Sequence, residues 1–82
     1  MVRMDGAEVR KERISQINKT IHAALYAAKA AGFISLSKTC SNIEVDTGLR
    51  SDKILEIIRL LNKAGYFEVD EENDQIKPIK IE

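Results

Sequence analysis

The chain has 82 residues, 44% of them apolar and 32% charged, with 13 Lys or Arg against 13 Asp or Glu for a formal net charge of zero. That composition reads as one globular domain rather than a disordered chain, and no apolar run approaches the roughly 18 residues of a membrane span. So short a chain buries only about 60% of its unfolded surface, so a deep enzyme pocket is hard to build and a binding module is the better expectation.

Residues 1–13 contain Asp5, Glu8 and Glu12 and lack a signal-peptide pattern, and with a single cysteine no internal disulfide forms. A cytoplasmic location is the expectation. Met1–Ala7 has no periodicity and reads as a frayed end. Glu8–Ala31 reads as a long helix, because Ile14, Ile17, Ile21, Leu25 and Ala28 recur at three- and four-residue steps. Gly32 is placed to cap it. Ala23, Ala27 and Ala30 lie roughly opposite that stripe, with Tyr26 beside them. A helix apolar nearly all round is usually buried on more than one side, so these four residues are the candidate surface for a second copy. His22 and Cys40 read as packing or interface residues: His22 has no ligand-spaced partner, and only Lys38 near Cys40 hints at an activated thiolate.

Phe33–Leu36 reads as a short extended stretch. Ser37 is expected to cap a second helix beginning near Lys38 and ending at Gly48. Ser51–Ala64 reads as a third helix with Ile54, Ile57, Ile58 and Leu61 on its buried stripe and Gly65 at its end. Tyr66–Asp70 and Gln75–Ile81 alternate as strands around the polar turn Glu71–Asp74, which makes a β-hairpin. Pro78 lacks an N–H, so the last strand is expected at the sheet edge. The expected fold is mainly α with a small β-hairpin, a three-helix bundle plus a wing, in a single domain over residues 1–82.

The segment Gly48-Leu49-Arg50-Ser51-Asp52-Lys53-Ile54 carries the functional reading. Gly48 tolerates the left-handed backbone that a tight interhelical turn needs, and Leu49 is suited to plug the corner between the helices. Asp52, Lys53, Glu56, Arg59 and Lys63 point away from the buried stripe. Thr47-Gly48-Leu49 through Leu60-Leu61-Asn62-Lys63-Ala64-Gly65-Tyr66-Phe67, followed by a hairpin, resembles the winged helix-turn-helix transcription regulators of prokaryotes, archaea included. The resemblance covers most of residues 34–81.

That resemblance implies sequence-specific binding of double-stranded DNA, commonly as a homodimer, with helix 51–64 in the major groove. It places Arg50, Ser51, Asp52, Lys53 and Glu56 where base contacts are made, with Arg59 further along the same face. It places Lys38 and Thr39 where phosphate contacts are common. Lys77 and Lys80 are the wing's only basic residues. The sequence departs from the family at Glu44, where a small residue is usual, and at the wing tip, Asp70-Glu71-Glu72-Asn73-Asp74. The zero net charge hides a balance of +4 over residues 1–63 and −4 over residues 64–82. The acidic tip is therefore expected to stay off DNA or to do another job. The alternative reading is a winged-helix module for protein–protein contact without DNA. No phosphate loop, metal spacing, calcium-loop spacing or nucleophile–base pair appears, so neither an enzyme nor a cofactor is expected.

Overall fold

A computed structural model of the chain describes residues 6–79, with side chains from Arg10 onward. The readings made for Met1–Asp5, Lys80 and Ile81 lie outside them. The element order is α1 (Gly6–Ala27), β1 (Ile34–Ser35), α2 (Leu36–Thr47), α3 (Ser51–Lys63), β2 (Glu68–Asp70) and β3 (Gln75–Lys77). The chain is thus mainly helical, with one small antiparallel sheet. None of its described helices is long and apolar enough to cross a membrane.

Helix α1 begins two residues before the expected start and ends four residues before the expected end. Beyond Ala27 the backbone tightens rather than unravels: Ala31 N–H donates to Ala28 O at 2.9 Å and Gly32 N–H to the same oxygen at 3.2 Å. Gly32, at φ 80°, closes that turn. Helix α2 begins earlier than expected, and its cap is Ser35 rather than Ser37. The Ser35 hydroxyl accepts from Lys38 N–H at 3.3 Å, whereas the Ser37 hydroxyl is donated to Asp74.

Two glycines end the next helices in different ways. Gly48 takes φ 74° and gives its N–H to Glu44 O at 2.8 Å, a single bond that turns the chain into α3. At the end of α3, Gly65 N–H bonds Asn62 O at 3.1 Å and Tyr66 N–H bonds Leu61 O at 3.1 Å. That pair of bonds is the Schellman stop, and Gly65 at φ 90° permits it.

The sheet holds three strands in the order β1-β3-β2, not two. Ile76 faces Ile34 on one side and Val69 on the other. The last strand is therefore central, which corrects the edge position expected from Pro78. Pairing stops at Lys77, so Pro78 lies just beyond the ladder and no sheet bond is lost to it.

One core joins the layers. Ile17 and Ile21 of α1, Ile43 of α2, Ile54 and Ile58 of α3, Phe67 and Ile76 are all fully buried. Leu49 packs against this cluster from the α2–α3 turn, as its apolar character led us to expect. His22 stays exposed and meets Phe67 edge-on at 5.9 Å.

Candidate nucleic-acid interface

Helix α3 is held from below by Ile54, Ile58 and Leu61, which fixes which residues it shows to solvent. Asp52, Lys53, Glu56, Arg59 and Lys63 are all exposed. Arg50, in extended backbone at φ −74° and ψ 151°, is the N-cap residue and makes no side-chain cap bond. The first turn of α3 therefore carries Arg50 and Lys53 outward, with Asp52 between them. Ser51 is exposed too, but its hydroxyl donates to Glu44 Oε2 at 3.0 Å. Glu44, the large residue in place of a small one, thus ties α2 to the start of α3.

Within α3 one charge pair follows helical spacing, and the others reach outside the helix. Glu56 lies 3.7 Å from Lys53 and 3.9 Å from Arg10 of α1. Arg59 reaches out of the helix to Glu71 of the β2–β3 turn, with Nη2 at 2.6 Å and Nε at 3.2 Å from Oε1. No family model, curated protein or solved structure matches this chain.

Of the two residues expected to meet phosphate from α2, only Lys38 is exposed. Thr39 is 7% exposed and donates its hydroxyl to Ser35 O at 2.6 Å, which removes it from any surface contact. Lys77 is half-buried within β3, opposite Glu68 in the register, and adds to the Asn73 hydrogen bonds that chiefly lower the Asp70 carboxyl. It faces its own hairpin's carboxylates, so it is a poor phosphate contact.

Two residues missed in the sequence join the site. Arg10 and Arg13 sit one turn apart near the start of α1 and line a groove of about 310 Å³ with Leu49, Lys53, Glu56 and Ile57. Arg13 also donates to Thr47 O at 3.2 Å, locking α1 to the end of α2. Their i, i+3 spacing shows in the sequence that they share a face of α1. That this face borders Lys53 depends on the crossing of α1 and α3, which spacing alone does not give.

The acidic turn is not merely solvated. Asp74, at φ 56°, accepts from Ser37 N–H at 2.9 Å, the Ser37 hydroxyl at 2.6 Å and the Ser35 hydroxyl at 2.9 Å. Asp70 accepts from the Asn73 side chain at 2.7 Å and its N–H at 3.2 Å. Cys40 is half-buried, and burial first, then Asp74 and Glu44, push its thiol above the ordinary value. An activated thiolate needs the reverse shift. Ala23, Tyr26, Ala27 and Ala30 are exposed, with Lys29 Nζ 5.1 Å from the centre of the Tyr26 ring.

Proposed function

We propose that this chain is a winged helix-turn-helix protein that binds double-stranded DNA sequence-specifically and regulates transcription as a homodimer. The observation that carries the reading is the presentation of α3: a left-handed Gly48 turn, a buried Ile54–Ile58–Leu61 stripe, and Arg50 and Lys53 facing solvent at its first turn. A helix so mounted enters a major groove by its N-terminal half. Arg10 and Arg13 line the groove beside that turn, Lys38 is exposed at the far end of α2, and the three serve as phosphate contacts, which position the protein without reading bases. Asp52 and Glu56 are suited to accept from cytosine amino groups, while Arg50 suits guanine. The hairpin β2–β3 is then the wing.

The dimer reading rests on the exposed Ala23, Tyr26, Ala27 and Ala30 on the second half of α1 and the turn after it. For two copies joined there to read one site, their α3 helices have to lie one DNA turn apart, about 34 Å. Selection from a pool of random duplexes tests both parts of the proposal. The expected result is an enriched inverted repeat with half-sites about 10 base pairs apart. Recovery of no enriched sequence would contradict it.

A second reading draws on the acidic hairpin. Glu71 neutralises Arg59, and Glu56 lies between Lys53 and Arg10, so the face carries both signs. A basic protein partner fits that face better than phosphate does if duplex DNA leaves the protein unbound at low salt.

A further inference from the structure

We propose that Glu71 sets the strength of the DNA contact by occupying the Arg59 guanidinium, a proposal that rests on the DNA-binding reading of α3. The Arg59 fork gives Nε and Nη2 to one carboxylate oxygen, at 3.2 and 2.6 Å. Arginine is the side chain best matched to a phosphate through just such paired donors. Here that geometry is already filled by a carboxylate. Asp52, Glu56, Arg59 and Lys63 follow one another at three- and four-residue steps, so Arg59 shares the exposed face of α3.

The other end of the same turn repeats the arrangement. The carboxylate of Asp74 rests on the N-terminus of α2, taking the Ser37 N–H and two serine hydroxyls. Helix N-termini are natural phosphate seats. The turn Glu71–Asp74 thus lays one carboxylate on each of the two helices that would face DNA.

The two contacts differ in what releasing them costs. Asp74 also accepts from Leu36 N–H through its own carbonyl at 3.0 Å, and the α2 start depends on it. Among the described residues the Glu71 carboxylate hydrogen-bonds and ion-pairs with Arg59 alone, and the Glu71 and Arg59 side chains are 49% and 59% exposed. An exposed pair is screened by salt and exchanges partners readily. Glu71 is therefore the yielding member. DNA phosphate displaces it from Arg59, and affinity is lower than the same face would have without it.

The test compares wild type, Glu71→Gln, Arg59→Ala and the double variant on a mixed-sequence duplex of about 30 base pairs, by fluorescence anisotropy over a salt series. Melting curves establish that each variant is folded. Glu71→Gln is expected to bind about three- to tenfold tighter at moderate salt, with log K against log salt steeper by about one. Arg59→Ala alone is expected to weaken binding by about threefold or more, because it removes the phosphate contact and leaves the Glu71 carboxylate unpaired. In the Arg59→Ala background, Glu71→Gln is expected to lose at least about half of its gain on the logarithmic scale.

If Glu71→Gln binds no tighter than wild type while wild type binds, the proposal fails and the DNA reading stands. A gain kept whole without Arg59 would also overturn it, since the effect would then be general charge. If neither wild type nor Glu71→Gln binds duplex at low salt, the DNA reading itself has failed and the proposal falls with it.

Discussion

The Ser35 hydroxyl donates to Asp74 Oδ2 at 2.9 Å across 39 positions of sequence, and that bond joins the hairpin to the start of α2. Bonds from Ser37 first, then Ser35, hold the Asp74 carboxyl below its ordinary value of 3.8. The unfolded chain lacks these bonds, so as pH falls it takes up the proton before the folded chain does. The stabilisation is therefore whole above the ordinary value and is lost as pH falls through the lowered one. Asp70, lowered by Asn73, adds in the same direction. The melting temperature is expected to drop below about pH 4. Asp74→Asn should be less stable at neutral pH and show a shallower acid drop. Parallel pH profiles for the two proteins would contradict this role.

Gly48 is required for its backbone rather than for space. At φ 74°, a Cβ built there meets nothing within 4 Å. Gly48→Ala is therefore expected to cost about 1–2 kcal/mol, the penalty of a left-handed residue with a side chain. Gly48→Asn should recover part of it, because asparagine tolerates that region. Urea denaturation of the three proteins checks the order Gly, Asn, Ala.

Ile58 and Leu60 separate core from surface on one helix. Ile58 is fully buried, whereas Leu60 is 45% exposed. Ile58→Val is expected to cost about 0.5–1.5 kcal/mol, a large share of a small domain's stability. Leu60→Ser should stay within about 0.5 kcal/mol of wild type. Chemical denaturation reads both, and equal losses would contradict the burial pattern.

Periodicity carried the helices well, because Ile17, Ile21 and Leu25 on α1 and Ile54, Ile58 and Leu61 on α3 repeat at helical steps and are buried. The glycine stops were legible for the same local reason: Gly48 and Gly65 act through their own φ angles. What the sequence did not show was long-range. Ile34–Ser35 read as extended, but its pairing with Ile76 and Gln75 depends on a strand some forty residues away. The choice of Ser35 over Ser37 as cap turns on Asp74, which claims the Ser37 hydroxyl. At the candidate site, exposure of Arg50 and Lys53 followed from the buried stripe. The Arg59–Glu71 bond and the approach of Arg10 to Glu56 follow from tertiary contacts that spacing does not encode.

Titration of the wild-type protein and an Arg50→Ala, Lys53→Ala double variant onto duplex DNA, from about 50 to 200 mM salt, tests the α3 assignment most directly. The account predicts measurable binding at the lowest salt, a steep fall with rising salt, and a weaker, flatter response in the double variant. Wild-type binding absent at the lowest salt, or double-variant binding equal to wild type, would contradict it.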